Sequence, residues 1–181
     1  MADAIALPKD AVDYFVALAC AWIREQRALH HLLAQPLPDA GKVTLAPFFP
    51  QAALDRARWR AVPAIENPPF LAEAAPFGVT LDFSRMDGIT FDDTFLVREA
   101  ALAGNADALV FHELVHIVQY GLLGIDEFIS QYVAGYLSSG EYYTIPLELV
   151  AYTLQMRWMI DPAAVFSVEG MVQRTVGLRR A

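Results

Sequence analysis

The sequence predicts an α+β fold in which a small, mostly antiparallel sheet packs on one helix and the remainder of the chain is largely helical. Apolar residues recur at helical spacing near the start of the chain and in its second half. In between, apolar and polar residues alternate as they do in half-buried strands. One predicted helix carries the motif His-Glu-Leu-Val-His at positions 112–116, which makes it the candidate active-site helix.

The composition is that of a globular chain. Of the 181 residues, 56% are hydrophobic and 19% are charged, which excludes a disordered chain and suits a single domain over residues 1–181. The net charge of −8 disfavours nucleic acid and anionic membranes as partners. Two groups of arginines are interpreted as solvated surface rather than as binding sites: Arg56, Arg58 and Arg60, and Arg174, Arg179 and Arg180.

Three features of the N-terminal part indicate a cytoplasmic protein. The single Cys20 permits no disulfide within the chain and is expected to be a buried, unreactive thiol. The apolar run around it, Tyr14 to Ile23, is too short to span a bilayer. The first residues, among them Asp3, lack the basic leader and cleavage site of a signal peptide.

The first hundred residues are predicted to form one helix and several strands. The helix covers Asp10–Leu33, where apolar residues recur every three or four positions. A strand region at 42–99 follows, in which four segments are predicted to be extended: Lys42–Leu45, Arg56–Val62, Val79–Phe83 and Gly88–Val97. Asp92 and Asp93 divide the last segment by a tight turn or a bulge.

The second half is predicted to be an active-site helical region at 105–159 and a tail at 160–181. Its first helix starts at a capping Asn105 or Asp107 and ends near Tyr120, before Gly121 and Gly124. Asp126 is expected to cap a further helix reaching Leu137. A third helix runs from Pro146 to Met159, with Thr144 as a candidate cap, and Asp161-Pro162 stops it before a final amphipathic segment.

The motif at 112–116 is typical of a zinc site. Positions four apart on a helix share a face, so His112 and His116 can bind one metal ion, and Glu113 on the flank of that face can deprotonate a zinc-bound water. Burying polar side chains on so apolar a helix costs free energy unless they have partners. A bound metal ion would supply that partner. The alternative is a core helix whose two histidines are each bonded to a neighbour.

A third metal ligand has to come from elsewhere in the chain. Glu148 is the better donor, because it lies in an apolar helix where an unpaired carboxylate is costly and the small Ala151 permits close helix packing. The alternative is a carboxylate that only stabilises the first turn of its helix. His30 and His31 are adjacent, so at most one could face the site, and they are expected to interact with the helix end or with water.

Segments 112–120, HELVHIVQY, and 146–152, PLELVAY, resemble the gluzincins, the thermolysin-like zinc peptidases, and more narrowly small bacterial proteins of that type. The resemblance covers about residues 56–152. It implies a minimal gluzincin-like fold, a peptide or protein substrate, His112, His116 and Glu148 as Zn²⁺ ligands and Glu113 as general base. It also implies that the strand Asp93–Arg98 is the sheet edge on which a peptide adds, unless that edge is simply paired or capped.

Two aspects of the site stay open at this stage. Many such peptidases have an acid where this chain has Tyr152, so a carboxylate supporting the histidines comes from elsewhere or is absent. Tyr142, Tyr143 and Tyr152 are candidates for stabilising an oxyanion, although aromatic packing explains all three equally.

We therefore predict a zinc-dependent hydrolase, specifically a metallopeptidase. One alternative is a non-catalytic metal- or protein-binding module that retains the motif helix. Another is a latent peptidase-like domain that works only with a dedicated partner, since 181 residues leave little room for a second substrate-binding lobe. The high apolar content is compatible with an exposed surface for a protein partner, and equally with a helical core.

Overall fold

The structure, a computed structural model, describes residue 5 and residues 7–176. Its α-helices and strands confirm the predicted α+β class. The helices are α1 (Lys9–His31), α2 (Asp39–Leu45), α3 (Gln51–Arg56), α4 (Phe70–Ala74), α5 (Ala106–Ser139), α6 (Pro146–Ile160) and α7 (Val168–Thr175). The strands are β1 (Gln35–Pro36), β2 (Arg58–Val62), β3 (Gly88–Phe91) and β4 (Thr94–Arg98). Asp3, Arg179 and Arg180, named above, lie outside the described residues.

The four strands form one sheet in the order β1-β2-β4-β3. The β1–β2 and β3–β4 pairs are antiparallel, and β2 and β4 are parallel. A parallel pair needs a crossover, which residues 63–87 supply through α4 and two short 3-10 turns. β4 is flanked on both sides, and its buried residues Phe95, Leu96 and Val97 lie in the core. The prediction that Asp93–Arg98 is the edge strand is therefore wrong: in the part of the chain that the structure describes, β4 has a strand on both sides and β3 on one side only.

Helix α5 is the centre of the packing. It lies against α1, α6, α7 and the sheet, and residues 111–120 of this helix are all buried. The helix begins where Asn105 was predicted to cap it, since the Asn105 side chain accepts a hydrogen bond from the Ala108 amide at 3.2 Å.

α5 is longer than predicted, because it does not end at Gly121. It breaks at Gly124, where φ is +72° and ψ is 169°, and then resumes to Ser139. Only glycine adopts that conformation readily. Asp126 does not cap the second part; its carboxylate accepts hydrogen bonds from Arg24 at 2.6 and 2.8 Å.

Two predicted strands are not strands. Residues 42–45 belong to the short helix α2, which Pro38 precedes and whose first turn carries Asp39, a favourable position for an acid. Residues 79–82 are irregular and Phe83 begins a 3-10 turn, because backbone amides here bond to side chains instead of a neighbouring strand. The Thr80 amide donates to the Tyr136 hydroxyl at 2.9 Å and the Phe83 amide to Asn67 Oδ1 at 2.7 Å.

Two smaller predictions need correction. The strand predicted from Arg56 starts at Arg58, because Arg56 ends α3. Thr144 does not cap α6: the N-cap residue is Ile145, and the Thr144 hydroxyl donates to the Glu141 carbonyl at 2.9 Å. Pro146 does lie in the first turn, as predicted.

In the described part of the chain, one helix, α5, is long and apolar enough to cross a membrane. However, 61% of its most apolar window is buried inside the fold. That burial is the behaviour of a core helix, and it places the polar motif residues in the interior.

Candidate metal centre

His112 and His116 lie one turn apart on the buried face of α5. Their ring centroids are 4.8 Å apart, and the two Nε2 atoms approach each other to 3.1 Å. Only 4% and 5% of these residues are exposed, so neither ring is oriented by bulk water.

Glu148 reaches the same point from α6. Its Oε2 atom lies 3.2 Å from His112 Nε2 and 3.5 Å from His116 Nε2, and the residue is 3% exposed. The close approach of the two helices depends on small residues: Ala151 is fully buried, and a Cβ on Gly135 would lie 2.6 Å from Pro146 Cδ. The structure thus brings together the three residues that the sequence nominated.

The spacing of these atoms fits a single metal ion. A tetrahedral ion about 2.0–2.1 Å from each donor separates its ligand atoms by about 3.3 Å. The three distances here are 3.1, 3.2 and 3.5 Å. Two imidazole nitrogens and a carboxylate oxygen are also a donor set that transition metals accept. His112, His116 and Glu148 could therefore hold a metal ion.

Two glutamine side chains orient the imidazole rings from behind. Gln155 Oε1 lies 3.1 Å from His112 Nδ1, and Gln119 Oε1 lies 2.8 Å from His116 Nδ1. Because an amide oxygen only accepts, each Nδ1 carries a hydrogen, and Nε2 is the ring atom that faces Glu148 and is left to bind a metal. Gln119 is itself fixed, since its Nε2 donates to the Leu147 carbonyl at 2.9 Å. The groups that support the two histidines are therefore glutamine amides, whereas the sequence analysis expected a carboxylate or none.

Tyr132 is a partner that sequence reasoning missed. Its hydroxyl donates to Glu148 Oε1 at 3.0 Å, which leaves Oε2 as the oxygen nearest the histidines. No spacing signal links Tyr132 to the motif, because the break at Gly124 interrupts the helical period between them.

Burial and neighbouring charges shift the pKa values of His116 and Glu148. Burial opposes ionisation of His116, but the adjacent Glu148 carboxylate outweighs burial and raises the pKa of His116 to about 9. Burial likewise opposes ionisation of Glu148, yet His116 and His112 hold the pKa of Glu148 well below its usual range. Without a metal, the proton on His116 compensates the carboxylate charge.

Glu113 lies beside this cluster and is 3% exposed. Its Oε2 accepts a hydrogen bond from the Thr90 hydroxyl of β3 at 2.6 Å. Burial raises the pKa of Glu113, against the effect of the two histidines. Gly88 makes room for the carboxylate, because a Cβ there would lie 2.9 Å from Glu113 Cδ. A carboxylate with a raised pKa is suited to accepting and returning a proton.

The three tyrosines occupy different positions around the centre. The centroid of the Tyr152 ring is 4.4 Å from that of the His112 ring, and Tyr142 is half-buried and borders the same cavity as Glu148. Tyr143 is 68% exposed. Burial raises the pKa of both Tyr142 and Tyr152, so both keep their hydroxyl hydrogen and can donate it.

His30 and His31 lie elsewhere, at the end of α1. The His30 ring stacks on the Phe91 ring, with 6.1 Å between the two ring centroids, and His31 Nδ1 lies 2.8 Å from the Thr94 hydroxyl. Among the described residues, the group that could hold a metal does not include them. Their partners are side chains of the sheet, not the helix end or water as predicted.

Comparisons with protein-family models, with curated proteins and with solved structures found no match. The resemblance to the gluzincins therefore rests on the motif residues and stays a prediction. The structure itself shows a buried group of two histidines and one glutamate that could hold a metal ion.

Proposed function

We propose that this protein is a zinc-dependent hydrolase that cleaves peptide bonds. The observation that carries the proposal is the convergence of His112 Nε2, His116 Nε2 and Glu148 Oε2 within 3.1–3.5 Å, with Glu113 beside them. Three protein ligands are the number used by catalytic zinc sites, whereas structural sites use four.

His112, His116 and Glu148 would hold the ion. When bound, zinc lowers the pKa of a coordinated water toward neutrality and polarises a carbonyl. Glu113 takes the proton of the attacking water and passes it to the leaving amine, for which its buried position and raised pKa are suited. Thr90 holds the Glu113 carboxylate in place through the 2.6 Å hydrogen bond.

An open cleft of about 1000 Å³ supports a chain-like substrate. His112, Glu113, Tyr142 and Tyr152 all border this cleft. The two tyrosine hydroxyls are the donors available to a developing oxyanion. Tyr143 also borders the cleft, but its large exposure makes it the weakest of the three candidates.

Strand β3 supports a peptide rather than a small ester as the substrate. Among residues 7–176, it has a neighbouring strand on one side only, and Gly88 at its start borders the cleft. An extended peptide can add to such an edge through backbone hydrogen bonds. The segment predicted for this role, Asp93–Arg98, contains β4, which has a neighbouring strand on both sides.

Replacement of Glu113 by glutamine tests the proposal. Zinc content and digestion of an unstructured protein would be measured for the wild type, for Glu113→Gln and for Glu127→Gln, an exposed glutamate on the same helix. We expect Glu113→Gln to keep one zinc per chain and to lose at least a hundredfold in rate, the scale of general-base catalysis. Glu127→Gln should match the wild type.

Two results would contradict the proposal. Zinc-loaded wild type that digests no peptide would favour the non-catalytic module or a domain that needs a dedicated partner. Loss of zinc in Glu113→Gln would instead make Glu113 a ligand or a structural residue.

A further inference from the structure

An apolar cavity of about 100 Å³ opens beside the candidate metal centre. Most of the residues that line it do not line the cleft described above. Glu113, His116 and Glu148 border it on one side. The remaining lining is mostly aliphatic and aromatic and comes from α1, the β2–β3 connection, β3, both parts of α5 and Tyr142. Because this lining offers few hydrogen-bond partners, the cavity suits an apolar group.

The N-terminal helix supplies one wall of the cavity, through Ala19, Trp22 and Ile23. Helix α1 lies outside residues 56–152, which carry the resemblance to the gluzincins. Ala19 is the smallest of the three side chains and is buried, so a longer side chain at this position would extend into the cavity.

The size of the cavity limits what it can hold. An engineered apolar cavity of roughly 150 Å³ binds benzene. The volume here, about 100 Å³, has room for one branched aliphatic side chain or one small ring and is too small for a long acyl chain. A side chain in this cavity would bring its own backbone next to Glu113 and His116, which border the cavity.

We propose that this cavity is a specificity pocket for one large apolar side chain beside the scissile bond, and that Ala19 of the N-terminal helix sets the size it admits. The substrate part of this inference rests on the proposed function. The binding part does not, because an apolar ligand can occupy the cavity without being cleaved.

Benzene binding tests the pocket without turnover. Methyl-labelled isoleucine spectra would be recorded during a benzene titration of the wild type, of Ala19→Leu and of Ala17→Leu, an exposed alanine on the same helix. We expect saturable shifts at the three isoleucines that line the cavity and none at the distant Ile160. The lining isoleucines are Ile23, Ile89 and Ile129.

Ala19→Leu should weaken benzene binding at least tenfold, and Ala17→Leu should leave it unchanged. Val133 also lines the cavity, so Val133→Ala should enlarge it and strengthen binding of p-xylene at least tenfold. If Ala19→Leu does not fold, p-xylene binding by Val133→Ala tests the pocket instead. Absence of benzene shifts in the wild type, or unchanged binding in the variant that folds, would overturn the pocket.

Cleavage tests the substrate assignment. Paired peptides that differ at one position, with phenylalanine or leucine against glycine, would be digested by the zinc-loaded protein. A pocket of this kind favours the larger residue by about 10–200-fold. We expect that ratio to fall at least tenfold in Ala19→Leu and to be unchanged in Ala17→Leu.

The two failures are distinguishable. Cleavage without preference for a large apolar residue would overturn the inference and leave the proposed function standing. Benzene binding without cleavage of any peptide would overturn the proposed function, and with it the substrate assigned to the cavity.

Discussion

Gln119 and Gln155 determine which nitrogens of the two imidazole rings face each other. Each amide oxygen lies within 3.1 Å of an Nδ1 atom, so both Nε2 atoms face Glu148. For this task, sequence reasoning sought a carboxylate. The spacing gives the face of a helix, whereas the partner of each ring depends on how α5 and α6 pack.

We expect Gln155→Leu to lower zinc affinity about 10–100-fold, because His112 loses the acceptor that fixes its ring and its tautomer. Competition with a chromogenic chelator measures the affinity. Gln51→Leu, at an exposed position on α3, is the control and should bind zinc like the wild type. Equal affinity for both variants would show that Gln155 does not orient His112.

The stability of the metal-free protein should fall as the pH rises from about 6.5 through about 9. The folded-state pKa of His116, about 9, is above the unfolded value near 6.5, so its contribution is complete below the unfolded pKa and is lost as the pH passes the folded one. The raised pKa of Glu113 acts in the same direction. Urea unfolding in the presence of a chelator between pH 6 and 9.5 measures this dependence. Constant or rising stability over that range would contradict it.

At the scale of elements, the close packing of α5 on α6 brings Glu148 to the histidines. Gly135 permits this packing, since a Cβ there would lie 2.6 Å from Pro146 Cδ. No sequence pattern marks that contact, because it depends on the direction in which α5 continues after Gly124.

Gly135→Ala should destabilise the protein by about 1–3 kcal/mol through overpacking and should weaken zinc binding. Gly41→Ala is the matched control: it also lies in a helix, but its Cβ would meet only Pro38 Cδ at 4.0 Å. We expect that change to be neutral or to stabilise by up to about 1 kcal/mol. Denaturant unfolding measures both, and equal stabilities would contradict the tight approach of the helices.

Sequence patterns predicted elements well where the local signal was strong. The long amphipathic helix, the extended segment at 88–97 with its turn at Asp92–Asp93, one of the two candidate caps (Asn105) and the Pro146 helix all occur in the structure. The predictions were wrong where short apolar runs were ambiguous, as at 42–45 and 79–83. They were also wrong where pairing is non-local: nothing near β4 shows that β2 pairs with it and that β3 is the edge.

At the scale of the whole molecule, the candidate centre lies where the α5–α6 pair, the sheet and α1 meet. Four buried residues of the described part of the chain meet in this region and carry carboxyl or imidazole groups: His112, Glu113, His116 and Glu148. So many buried ionisable groups in one place destabilise the fold unless they are compensated, and an ion bound only to the folded state provides that compensation.

Removal of metal should therefore lower thermal stability. A ligand present at about 1000 times its Kd stabilises the folded state by roughly 4 kcal/mol, which corresponds to a Tm shift on the order of 10 °C for a chain of this size. We expect that loss on chelation and its recovery on adding zinc, measured by calorimetry. The variant Glu148→Ala should show no zinc-dependent shift, and a shift equal to that of the wild type would contradict the ligand assignment.

The central claim is that two imidazoles of one helix and one carboxylate of another bind a single ion. Anomalous diffraction at the zinc absorption edge, from crystals of protein purified without chelators or a histidine tag, tests it most directly. We predict one anomalous peak about 2.0–2.2 Å from His112 Nε2, His116 Nε2 and a Glu148 oxygen, with no fourth protein ligand. Absence of a peak there, or a peak whose ligands do not include Glu148, would contradict the claim.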